Sequence, residues 1–142
     1  MSVHELVSAE MWFISTLSGD SALMSIATGG VFQDYAPVGT QPPWVVFGLQ
    51  SAGNDSLTFN KVRVLTTPLY QVIVEGPVSM AGAIANAANE LDDLLKRTSG
   101  TVTGGYIASC YREQPLSKTS IINTVKWKSL GGLYRLEIEQ NT

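Results

Sequence analysis

The chain has 142 residues, close to the usual size of one domain, and a folded chain of that length buries about 68–70% of the surface its unfolded form exposes, so it needs no staple to be stable. One cysteine, Cys110, and one histidine, His4, exclude an internal disulfide and a Cys/His structural zinc site. A net charge of −3 argues against free nucleic acid as a partner, and the charged fraction of 15% is low against a usual value of about 25%, which suits a surface that meets other subunits as well as one of neutral polar side chains.

Residues 2–18 read as a helix with Val3, Leu6, Val7, Phe13, Ile14 and Leu17 on one stripe. Glu10 breaks that stripe and would need a cationic partner if buried. Trp12 lies on the opposite, polar side. It is either an anchor for another subunit or the core of a helix covered on both sides. The segment has no basic region followed by a continuous apolar one, and no apolar run of membrane-spanning length exists anywhere, so a protein folded in the cytoplasm is expected. Asp20 or Ser21 can cap a short second helix through Ala27.

Residues 31–36 suggest a short strand stopped by Pro37. Residues 44–49, Trp-Val-Val-Phe-Gly-Leu, suggest a strand covered on both faces. A polar loop over 51–61 precedes a long extended stretch, 62–75, that Pro68 must break or bulge. Tyr70, Val72 and Val74 share one face of it. Ser79 is a good N-cap for a helix over 80–97, whose stripe is Met80, Ile84, Ala87, Ala88, Leu91, Leu94 and Leu95. Residues 101–112 look like a strand with Val102, Tyr106, Ala108 and Cys110 on one face. Residues 119–128 are extended, as strand or arm. After a turn at Gly131-Gly132, residues 133–139 alternate with Tyr134, Leu136 and Ile138 inward. The order predicts an α+β fold, one domain over 1–142, with an N-terminal and a central helix packed on a largely antiparallel sheet.

Catalytic constellations are scarce. His4 stands alone at a chain end, and Cys110 sits in a strand pattern as a small buried thiol. Asp92-Asp93, with Glu90 nearby, lie on the helix side away from the apolar stripe and read as a solvated surface. Glu137 and Glu139 share a strand face, a weak cation signal. No phosphate-cradling glycine motif occurs. Lys118, Lys126 and Lys128, with Trp127 between the last two, suit either a stacking contact to single-stranded nucleic acid or an ionic contact to another subunit. No cofactor, metal or catalytic residue is expected. The segments 51–61 and 115–128 are long enough to be arms that order against a neighbouring chain.

The order of these pieces resembles the tail-terminator, or tail-completion, proteins of long-tailed bacteriophages. The features that carry the resemblance are the N-terminal amphipathic helix, Gly29-Gly30-Val31-Phe32, Pro37, Pro43-Trp44-Val45-Val46-Phe47-Gly48, the strand ending Tyr70-Gln71-Val72-Ile73-Val74, the central helix, and Gly131-Gly132-Leu133-Tyr134-Arg135-Leu136. It covers almost the whole chain. Trp44 stands where such proteins more often have tyrosine, and the 115–129 segment is longer than in them.

The resemblance implies a non-enzymatic virion protein made in the host cytoplasm and placed at the head–tail junction. It implies a homo-oligomeric, usually hexameric ring that caps the tail-tube protein, halts tube polymerisation, and offers a docking surface to the head-completion or connector protein, with DNA only passing through its lumen and no membrane contact. A head-to-tail ring needs two different faces per subunit. The candidate contact residues are Trp12 and Glu10 on the first helix, Asn54, Asp55, Leu57 and Phe59 in the loop, which extends to residue 68, and Lys126, Trp127 and Lys128. Another connector, head-closure or tail-tube subunit, or an unrelated small binding module, shares the same composition.

Overall fold

The structure is a computed structural model; it describes residues 4–57, 59–61, 63–102 and 105–140. Three helices, α1 (Glu5–Ser18), α2 (Ser21–Ile26) and α3 (Ala81–Arg97), pack on one face of a curled sheet. The strands are β1 (Val31–Gln33), β2 (Trp44–Ser51), β3 (Asp55–Leu57), β4 (Arg63–Thr66), β5 (Leu69–Pro77), β6 (Gly100–Val102), β7 (Gly105–Ile122) and β8 (Val125–Gln140). The class is the expected α+β. Among the described residues only β1 pairs in parallel, with β2, and the other pairings are antiparallel.

Strand β8 is the hub. One edge carries β5 from Trp127 to Arg135 and then β4 at Ile138 and Glu139; the other carries β7 along its whole length. Gly131 and Gly132 sit at its centre, opposite Ile73 and Val72. They are mid-strand, not the turn the sequence suggested. A Cβ on Gly131 would lie 2.1 Å from the Val72 carbonyl oxygen, and one on Gly132 would lie 2.6 Å from Cδ of Arg112. The close approach of three strands here requires both glycines. The pieces read separately as 119–128 and 133–139 are therefore one strand.

The core lies between sheet and helices. Tyr70, Val72 and Val74 of β5 meet Tyr134, Leu136 and Ile138 of β8 and Val45 and Phe47 of β2. Phe13 of α1 packs on Phe47 and Tyr70, with ring centroids 5.2 and 5.0 Å away. The stripe of α3 docks as read, with Ile84, Ala87, Ala88, Leu91, Leu94 and Leu95 buried. Burial on each side of β2 matches its continuous apolar run: Val46 pairs with Ile73, and both are buried on the face away from the helices.

Several local expectations change. Helix α1 buries Glu5, Ser8, Ala9, Trp12, Phe13 and Leu17, so it is turned by roughly 100°, one residue's step, from the stripe read in the sequence. Val7 and Ile14 face outward, and Val3 lies outside the described residues. Two small residues, Ser8 and Ala9, let the helix approach the sheet, and a hydrophobicity wheel scores them as neutral. Ser79 is not the cap of α3; it falls within a short 3-10 turn, Val78–Met80, and Met80 remains partly exposed. Asp20 does cap α2, accepting from the Leu23 N–H at 3.1 Å. Pro68 divides 62–75 into β4 and β5, with residue 62 outside the described set.

In β7 a register shift between Ile107 and Ser109 breaks the alternation. Ile107 and Cys110 face the core, and Tyr106 faces out. The side chain of Val102 and the residue Gly104 lie outside the described set. The segment 115–128 pairs within its own chain, as the end of the β7–β8 hairpin.

A Gly131→Ala variant should lower stability by about 1–3 kcal/mol or more, as an overpacked site does. The check is the urea midpoint, with Gly82→Ala as control, since a Cβ at Gly82 meets nothing within 4 Å.

Candidate functional site

The structure sorts the sequence-derived contact residues into three groups. Trp12 is 4% exposed and edge-on to Phe13, with centroids 5.1 Å apart. It is part of the protomer core, so its reading as a solvent-facing anchor is corrected to the alternative, a helix packed on that side too. Glu10 needs no cation: it is half-buried and accepts a 2.6 Å hydrogen bond from Nε2 of Gln33 on β1.

The loop candidates are exposed and lie together. Asn54 accepts from the Thr67 N–H through its carbonyl oxygen, and Asp55 accepts from the Thr66 hydroxyl at 2.8 Å, so the β3–β4 pair is pinned at its base. Leu57 and Phe59 project from it into solvent.

The basic cluster is split by strand geometry. Successive side chains on β8 point to opposite faces, so Trp127 lies on one side and Lys126 and Lys128 on the other. Trp127 packs on Trp44, with centroids 5.4 Å apart, across β5. Glu75 lies between them, accepting from Nε1 of Trp44 and from the Ser129 hydroxyl, each at 3.4 Å. The indole therefore packs within its own sheet, and this arrangement disfavours the nucleic-acid stacking platform considered above.

The hairpin holding these lysines closes at Asn123-Thr124, both with positive φ, 51° and 67°. That is the backbone of a type I′ turn, which matches the twist of the flanking strands. Around it Ile121, Ile122 and Val125 are 67%, 53% and 47% exposed. β-Branched residues flank Asn-Thr in the sequence, but Asn-Thr is a weaker turn signal than Asn-Gly, and the segment read only as extended. A second exposed apolar row runs along α1: Val7, Met11 and Ile14, at 44%, 47% and 45%. The spacing i, i+4, i+7 marked it as a helix face, and only tertiary packing shows that the face points outward.

At the base of the hairpin Arg135 forms a clip. Its Nε and Nη2 donate to Glu113 at 2.7 and 3.1 Å, and its Nη1 donates to the Thr67 carbonyl at 2.9 Å. Glu113 sits at the register shift between Arg112 and Gln114, so the clip ties the β7 bulge to the β4–β5 break. The hydrogen bonds from Arg135 hold the Glu113 carboxyl below its usual range.

The remaining titratable groups serve the fold. His4 is the N-cap of α1, its Nδ1 accepting from the Leu6 N–H at 3.2 Å. Burial pushes the Cys110 thiol well up, which suppresses the thiolate. Asp92 is not simply solvated, because it accepts a 2.9 Å bond from the Tyr134 hydroxyl; burial and that bond push the phenol up. Asp93 pairs with Lys96 at 3.1 Å. Among the described residues no three His, Cys, Asp or Glu side chains gather closely enough for a metal, and no helix is long and apolar enough to cross a membrane. A cleft of about 330 Å³ lies between α3 and the hairpin base and is lined by Ala88, Asn89, Arg112, Pro115, Leu116, Ser117, Leu130 and Gly131.

No protein-family model matches the sequence, and no curated protein matches it. The fold is similar to that of a chain in the virion of a native gene transfer agent particle. The TM-score is 0.71 at 13% identity, and the match covers 97% of this chain and 99% of that one.

Trp12→Ala should destabilise the protomer by about 3–5 kcal/mol, as truncating a buried aromatic does, whereas Phe59→Ala should stay within about 0.5 kcal/mol. Paired denaturation curves decide this. The lowered Glu113 carboxyl contributes stability that is present above its ordinary value of 4.5 and lost as pH falls through the lowered one. Glu113→Gln should therefore flatten the acid limb of the melting-temperature profile and leave its slope near neutrality unchanged.

Proposed function

We propose that this chain is a non-enzymatic structural protein of a phage-type virion, and within that class a tail terminator. In this reading copies of the chain form a hexameric ring that caps the tail tube, stops its polymerisation and joins the tail to the head connector, with DNA passing through the lumen.

The observation that carries the reading is the end-to-end match with a virion chain, which leaves almost no part of either fold over. Three features of the protomer support it. Its single thiol is buried and its single histidine is committed to a helix cap. Apolar side chains are exposed in two separate rows, one on α1 and one at the hairpin end. A head-to-tail ring uses two unlike surfaces on each subunit. The exposed loop at Asn54, Asp55, Leu57 and Phe59 remains a candidate for contact with the tube or the connector.

The edge of β7 beyond Ile107, where its pairing with β6 ends, also suits a tail-tube subunit, which stacks ring on ring. Disrupting the gene separates the two readings. A terminator's loss should give particles with tails of uncontrolled length that fail to join heads, seen by negative-stain microscopy and restored by the intact gene. Loss of a tube subunit should give no tails. Normal, infectious or transducing particles in its absence would remove both readings.

A further inference from the structure

The charges of this chain are divided along its length. Residues 1–60 hold Glu5, Glu10, Asp20, Asp34 and Asp55 and no lysine or arginine. Residues 114–136 hold Lys118, Lys126, Lys128 and Arg135 and no carboxylate. In the fold α1 packs over the core, its Phe13 on Phe47 and Tyr70, whereas the hairpin tip closed at Asn123-Thr124 lies past the last β5 pairing at Trp127. Each place also carries exposed apolar side chains, Val7, Met11 and Ile14 on α1 and Ile121, Ile122 and Val125 around the tip. Glu10, bonded to Gln33, stands three and four residues from Val7 and Ile14, so the acidic and apolar groups share one surface. Lys126 is the cross-strand partner of Ile121 on one face of the hairpin, and Ile122 pairs with Val125 on the other, so the tip is apolar on both faces and carries its charge beside Ile121.

We infer that the hairpin of one copy docks tip-first on the α1 face of a second copy, so that Ile122 and Val125 on one face of the tip and Ile121 on the other reach Val7, Met11 and Ile14, with Lys126 toward Glu10. The inference rests on the structural-subunit reading above in taking the partner to be the same chain. The apolar rows supply area, and the opposite charges supply orientation and rule out tip-to-tip and helix-to-helix pairing. The exposed face of α1 and the tip beyond the last β5 pairing are separate surfaces of one protomer. Each docking event therefore leaves one free tip and one free helix face, which is the arrangement that either closes into a ring or grows as a filament. A short, β-branched hairpin end stiffened by its own cross-strand bonds loses little freedom on docking.

The test uses two variants of the full chain at exposed positions, Ile122→Asp and Met11→Asp, each first checked for unchanged melting. Mass in solution is measured by light scattering on a sizing column up to the solubility limit. The wild type should associate, and association should weaken as salt is raised. Each variant alone should weaken association by roughly 30-fold or more, the scale of losing a central anchor. Mixed in equal amounts, the variants should form a dimer and nothing larger, because only one intact tip and one intact helix face remain.

Either variant assembling like the wild type overturns the inference, and so does a mixture that never pairs. A wild-type chain that stays monomeric overturns it as well. If Ile122→Asp self-associates normally but no longer joins the particle, the hairpin serves a different partner and the inference falls while the virion reading stands. If the inferred docking is observed but gene disruption leaves particles normal, the virion reading falls instead.

Discussion

The structure depends on the close approach of three strands at Gly131 and Gly132. β8 has neighbours on both sides along most of its length, and at its centre the backbones of β5 and β7 come within distances that leave no room for a Cβ. That approach lets one strand serve two jobs. Its C-terminal half buries Tyr134, Leu136 and Ile138 under the helices, and its N-terminal half forms the hairpin end with β7, passing the end of β5 only at Val125 and Lys126. The core and the projecting hairpin are therefore built on the same covalent strand. The Arg135–Glu113 clip, anchored also on the Thr67 carbonyl, holds the transition between them.

The sequence was legible where a single period governed a whole element. The stripe of α3 and the inward alternation of Tyr134, Leu136 and Ile138 survive unchanged, because burial on one face alone sets them. It was misleading where two constraints met. On α1 the apolar residues divide between inner and outer sides, and Ser8 and Ala9 are buried for their size rather than their hydrophobicity, so the wheel points the wrong way. Gly131-Gly132 reads as a turn by composition, yet the glycines answer to neighbouring backbones far away in sequence. The β7 bulge at Ala108 inverts the alternation beyond it, and no local signal marks it.

The contact residues were less legible than the fold. Trp12 looked like an anchor because its helical neighbours are polar, but it packs beneath them. Lys126, Trp127 and Lys128 looked like one patch because they are adjacent, but a strand sends neighbours to opposite faces. What the sequence does hold openly is the charge division, with no cation before Lys61 and no carboxylate from residue 114 to 136. It acquires meaning only in the fold, which sets Glu10 beside the exposed apolar row of α1 and Lys126 beside Ile121 at the hairpin tip.

The central claim is that this chain is a virion subunit present as one ring. It is tested most directly by counting its copies per purified particle, using quantitative mass spectrometry against the major capsid protein. The account predicts a small fixed number, one ring's worth, unchanged by tail length. A count that scales with tail length would make the chain a tube subunit, and its absence from purified particles would contradict the account altogether.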